Sequence, residues 1–159
     1  MNQRREDIAG VRRQFITFRS GAQEFGADIM AIREIRGWTE TTPLPHAPDY
    51  VRGVINLRGV VLPVVDLKAR LGQGQTQANP KHVIVVVQAE SRTIGLLVDA
   101  VSDILTVTAG EIQPTPELAR DAQSAFVEGI AVLSERMVTI LGMDRLVGSL
   151  VGPDAAQAA

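Results

Sequence analysis

Apolar positions along this chain gather in short β-branched runs: QFITFRS, GVINL, VVLPVV, HVIVVVQ, TIGLLV, GIAVL and MVTIL. Each is rich in Val, Ile or Thr and is bounded by Gly, Pro, Asn, Asp or Ser clusters, the pattern of strands joined by turns. Helical periodicity is confined to brief patches: DIMAIREI at 28–35, DLKARLG at 66–72, ELARDAQ at 117–123 and MDRLVGSL at 143–150. No long amphipathic helix is available to cover a parallel sheet. The pattern predicts an all-β protein with a few short helices.

The order of elements repeats. FITFRSGAQEFGADIMAIREI, from Phe15, resembles IVVVQAESRTIGLLVDAVSDI, from Ile84. PLP at 43–45 is echoed by PTP at 114–116, and RGVINLRGVVLPVVDLKARLG, from Arg52, by EGIAVLSERMVTILGMDRLVG, from Glu128. An offset of roughly 70 residues predicts two structurally equivalent halves, about 13–75 and 81–150, with an exchange of strands between them left open. With about five strands each, the halves are too small to stand comfortably alone and should share a core. The ends, 1–12 and 152–159, are charged or featureless and read as flexible tails. LGQGQ at 71–75 reads as a flexible linker between the halves.

Composition narrows the function. With 45% hydrophobic and 21% charged residues the chain has the balance of a soluble globular protein, and with aromatics at 4% its core must be aliphatic. A formal charge of −2 argues against general nucleic-acid binding, which needs an excess of Lys and Arg. MNQRREDIAGVRR lacks the apolar segment of a secretory signal, and no apolar run is long enough to cross a bilayer, so a cytoplasmic protein is expected. The absence of cysteine removes disulfides, thiolate metal sites and cysteine nucleophiles.

Nor does a catalytic constellation emerge. His46 lies in a proline-rich loop and His82 opens a strand, too far apart in sequence to suggest a metal site. The serines lack a nucleophile-elbow context, and LGQGQ lacks the lysine and following helix of a phosphate cradle. Asp66 and Asp144 begin helical patches, where a carboxylate accepts orphan N–H groups. Asp99 and Asp103 have the spacing of a shared helical face, which suits a solvated surface as well as a carboxylate pair. These readings predict a protein without catalysis or cofactor, acting through surface recognition.

The stretch GVINLRGVVLPVV reads as a hairpin turning at Arg58 and Gly59. Pro63 has no N–H for a ladder, which places it on an edge or at a bulge. The following apolar strand is covered either by a partner or by the other half of the chain.

Four segments together resemble the CheW family of chemotaxis coupling proteins: QFITFRSGAQEFGADIMAIREIRG, YVRGVINLRGVVLPVVDLKARLG, IGLLVDAVSDILTVTAGEIQPTP and FVEGIAVLSERMVTIL. The pattern RGVINLRG-x-x-x-PVVDL is the most specific part, and the resemblance makes 13–151 a single CheW-like domain. It implies two SH3-like five-stranded β-barrels packed around a shared core. It also implies an adaptor that binds the cytoplasmic tip of a chemoreceptor and the regulatory domain of a CheA-type histidine kinase, placed in the cytoplasm at membrane receptor arrays. Carried over by position, the receptor groove between the barrels involves Ile32, Glu34, Gly53, Arg58, Val61, Val83 and Ile104, with core packing the lesser alternative for the aliphatic members. Asn56, Gly59, Pro63 and Asp66 shape the hairpin. For the kinase the resemblance implies a barrel edge of the second half without singling out residues. A CheW-like adaptor in another pathway, such as pilus motility or second-messenger control, is the alternative, and a small-molecule module using the groove a more distant one.

Overall fold

The computed structural model describes residues 11–115 and 123–150; the tails expected at 1–12 and 152–159 and the helical patch expected at 117–123 fall wholly or almost wholly outside them. Eleven strands are described: β1 (Arg12–Ser20), β2 (Gln23–Asp28), β3 (Ile32–Gly37), β4 (Val51–Leu57), β5 (Val60–Asp66), β6 (Val83–Ala89), β7 (Arg92–Val98), β8 (Ala100–Thr108), β9 (Ile112–Gln113), β10 (Val127–Leu133) and β11 (Arg136–Leu141). Two short helices, α1 (Leu67–Arg70) and α2 (Met143–Ser149), follow the second hairpin of each half. The patch at 28–35 departs from expectation. Only Ile29–Ala31 turn as a 3₁₀ helix, capped by Asp28 onto the Met30 N–H, and Ile32–Gly37 is strand β3.

The strands form two sheets, in the orders β8-β1-β2-β11-β10-β9 and β3-β6-β7-β5-β4. Under the sequence repeat, β1, β2, β3, β4 and β5 correspond to β6, β7, β8, β10 and β11. The two sheets then have the same order, and each is assembled from both halves of the chain. The β1–β2 hairpin sits among strands of the second half, and β6–β7 among strands of the first, each joined through a parallel contact, β11 to β2 and β5 to β7. The halves at 13–75 and 81–150 are therefore repeats in sequence but are not the two barrels. We call the barrel containing β3–β7 the first and the other the second.

This exchange explains why the runs at 83–87 and 94–98 do not alternate. Ile84, Val86 and Leu97 point into the first barrel with Ile55, Leu57, Leu62 and Val64. Val85, Val87, Ile94, Leu96 and Val98 point the other way, into a core shared with Ile16, Phe18, Phe25 and Ala27 of the second barrel. Strands buried on both faces read as continuous apolar runs. The second barrel closes over Phe15, Leu105, Val107, Ala131, Val138 and Ile140. Arg70 staples the two barrels: its guanidinium lies between the Tyr50 and Phe126 rings, 4.6 and 4.3 Å from their centroids, and donates to the Ser149 hydroxyl.

The segment after α1 is held, not free. Asp66, fully buried, accepts from the Thr76 N–H and hydroxyl, both at 2.7 Å, and caps α1 at the Ala69 N–H. Arg52 donates to the Thr76 carbonyl at 2.8 Å. A buried carboxylate requires such partners, and here they tie the end of the LGQGQ segment to the first barrel, contrary to the flexible linker expected.

Candidate functional site at the β4–β5 hairpin

The hairpin turn follows from three residues. Arg58 and Gly59 both take positive φ, 51° and 87°, as a two-residue turn matched to strand twist requires. Asn56 accepts the Gly59 N–H at 2.8 Å and closes the turn. Pro63 is not at a bulge, and although β5 as a whole lies between β4 and β7, Pro63 itself falls on the stretch of β5 that β7 leaves unpaired, a local edge as expected. The position tolerates proline because its cross-strand partner, Val54, exchanges both backbone bonds with Thr42 on the far side, and pairing with β7 begins only at Val64. The hairpin tip therefore extends beyond β7, leaving Val60 and Val61 59% and 67% exposed.

Gly53 is buried, at φ 143°, and a Cβ there would sit against the Thr42 carbonyl oxygen. Its counterpart Gly129 has the same relation to Gln113, whose carbonyl oxygen would be 2.6 Å from an added Cβ. Gly53 lets the preceding loop cross β4, and Gly129 lets β9 lie along β10, at close range. Any part Gly53 has in recognition acts through the backbone it admits.

The remaining candidates divide between two faces, and a β-bulge divides them. Between Ile32 and Glu34 the β3–β6 register slips, so Ile32 pairs with Val87 and Glu34 with Val86. Ile32 and Val83 are half-buried against the shared core. Val61 continues the face of β5 that carries Val65 into that core, and Ile104, 54% exposed, pairs with core residue Ile16. These four line the sides of the sheets turned toward the junction of the barrels. Glu34 instead faces the mouth of the first barrel. There it accepts from Arg58 at 2.6 Å and Arg36 at 3.4 Å, and the Arg58 hydrogen bond holds its carboxyl below the ordinary value. The mouth is an open groove of about 390 Å³ lined by Arg33, Glu34, Arg58, Val60, Leu62 and Val86, among others.

Sequence reading missed Arg136. In the second barrel its guanidinium grips Glu24 through Nε and Nη2 at 2.7 and 2.8 Å, and Asp103 through Nη2 and Nη1 at 2.7 and 3.1 Å. Thr17, fully buried, donates its hydroxyl to Asp103 and receives a 3.3 Å bond from Arg136. These bonds bring the Asp103 carboxyl down to about 2 and raise Arg136 further above its already high value. Asp103 thus has a structural partner on a strand, and Asp99 caps the Gly21 N–H at 2.9 Å, so the two do not form a carboxylate pair. Aligning the repeat turn by turn, SER beneath RGV, is the signal that would have flagged Arg136.

His82 receives the Asn79 N–H on Nδ1 at 2.8 Å and has Nε2 3.3 Å from Asp99, a bond set that closes the loop before β6. Among the described residues there is no cluster of three His, Cys, Asp or Glu able to hold a metal, and no helix long and apolar enough to cross a membrane.

Twin SH3-like barrels around one core, with an apolar tip and a charged mouth at one end, define a β-barrel module with a candidate recognition surface. Residues 14–151 match the CheW-like domain model, and the chain belongs to that family. It is 56% identical over 132 residues to the chemotaxis protein CheW of Rhizobium meliloti, covering 83% of this chain and 85% of that one. The CheW of Klebsiella aerogenes is 36% identical over 139 residues, covering 87% and 84%. Among solved structures, the scaffolding protein TtCheW of Thermoanaerobacter tengcongensis superposes with a TM-score of 0.76 at 32% identity, covering 82% of this chain and 89% of that one.

Proposed function

We propose that this chain is a non-catalytic coupling adaptor of chemotaxis signalling, joining the cytoplasmic tip of a chemoreceptor to the regulatory domain of a CheA-type histidine kinase in the cytoplasm at receptor arrays. Family membership along nearly the whole chain carries the reading, since the relatives that match are named for chemotaxis and for scaffolding. The surface supports it. An apolar strip of Ile32, Val61, Val83 and Ile104 along the barrel junction, with Glu34 and Arg58 beside it, suits a helical hairpin, which docks by apolar anchors with charges setting register. The test is reconstitution: adding the protein to receptor-containing membranes and kinase should raise kinase activity and make it respond to receptor ligand. An unchanged kinase rate with all three components present rejects the adaptor role.

A further inference from the structure

The repeat lets the mouths of the two barrels be compared position by position. In the second barrel Arg136 stands at the rim, with Glu24, Asp103 and Thr17 closing around it. The corresponding positions of the first barrel are Val60, Thr93, Glu34 and Val86, and all four line the open groove. One carboxylate is kept, Asp103 matching Glu34. The plugging guanidinium and the second carboxylate are replaced by Val60 and Thr93.

The charges differ as well. In the second barrel Arg136 is balanced by two carboxylates. Around the open mouth stand Arg33, Arg36 and Arg58 against the single Glu34. The Arg36 Nε is buried without a partner among the described residues. Arg58, with its side chain 72% exposed, is held by Glu34 alone and springs from a turn fixed by Asn56, so its guanidinium can turn to a new acceptor while its backbone stays put.

We infer that Arg136 is a built-in plug that shuts one of two equivalent mouths, and that the unplugged mouth takes an acidic side chain presented on an apolar surface of the chemoreceptor tip. Leu57, Val60, Leu62 and Val86 would flank the stem of that side chain, and Arg58 and Arg33 would receive its carboxylate. The plug then makes recognition one-sided, so a chain with two similar barrels offers a single such mouth. This inference rests on the adaptor reading and adds the chemistry of the contact.

The plug can be transplanted. Val60→Arg with Thr93→Glu, beside the Glu34 already present, recreates in the first barrel the guanidinium and both carboxylates that close the second. The double variant, and Val60→Arg alone as a milder version, should keep the circular dichroism spectrum and a melting temperature no lower than wild type. Affinity for a receptor-tip helical hairpin fragment should fall at least tenfold for the double variant, with affinity for the kinase regulatory domain unchanged. In a double-mutant cycle, an Asp→Asn or Glu→Gln change at one acidic position of the fragment should weaken wild-type binding and add nothing to the plugged variant's loss. A folded plugged variant that binds the fragment within twofold of wild type overturns the inference, as does an equal loss toward both partners. A wild-type protein that binds neither partner refutes the adaptor reading itself, a distinct result.

Discussion

At Gly53 the loop carrying Thr42 crosses β4 so closely that a single methyl group collides with a carbonyl oxygen, and the positive φ adds strain for any L-residue. Gly53→Ala is expected to lose about 2 kcal/mol or more of folding stability in urea titrations. Receptor binding per folded molecule should change only as far as the loop shifts. Arg58 behaves oppositely. Its exposed side chain contributes little to folding, because a solvated ion pair is worth little. Arg58→Glu should leave the melting temperature nearly unchanged while weakening receptor-tip binding tenfold or more, and a matching loss of stability would assign Arg58 to the turn instead. Arg58, Gly59 and Asn56 were legible as a turn from their types alone. The face to which Glu34 points was not, because a one-residue slip opposite Val86 and Val87 reverses every inference drawn from alternation.

Among the elements, the strands were readable where Val and Ile cluster between turn residues, and both short helices fall where their periodic patches do. The segment at 28–35 misled because Ile29, Ile32 and Ile35 are spaced like one face of a helix, whereas Ile32 packs on the shared core and Ile35 is exposed beyond the bulge. Pro63 marked the unpaired stretch of β5 correctly, but the strand becomes internal one residue later, at Val64, through a parallel partner distant in sequence that composition could not name. The rim of the second barrel, where β1, β2, β8 and β11 meet at Arg136, has a pH signature. Asp103, and less strongly Glu24, titrate below their ordinary values, through hydrogen bonds from Arg136 above all. The stability they contribute is complete above the unfolded carboxylate range near 4. It is lost as pH falls through that range toward about 2, where folded Asp103 takes up its proton. Arg136→Met should be less stable than wild type at pH 7, and its urea midpoint should fall less between pH 5 and pH 2. Parallel acid limbs for the two proteins would show that the cluster does not govern this transition.

For the whole molecule, the repeat was visible in the order of matched segments, and the shared core followed from the size of each half. An exchange of strands was open from the sequence, but which hairpins cross was not legible, because the crossing rests on two parallel pairings, β2 with β11 and β5 with β7, between segments distant in sequence and alike in composition. A fragment ending at 75 holds β1–β2 without the strands that flank them and β3–β5 without the hairpin they enclose. It should therefore be largely unstructured alone, and mixing it with a fragment from 81 onward should restore the circular dichroism and dispersed NMR spectrum of the intact chain. A cooperatively folded fragment 1–75 would contradict the exchange. The same crossing sets how the molecule bears load. Each barrel has strands of the other half woven through it, and the Arg70 staple binds the seam. A pull on one barrel is carried along peptide bonds and strand ladders into its neighbour. The pair should move as a stiff strut, handing on displacement at one end almost undiminished to whatever is held at the other.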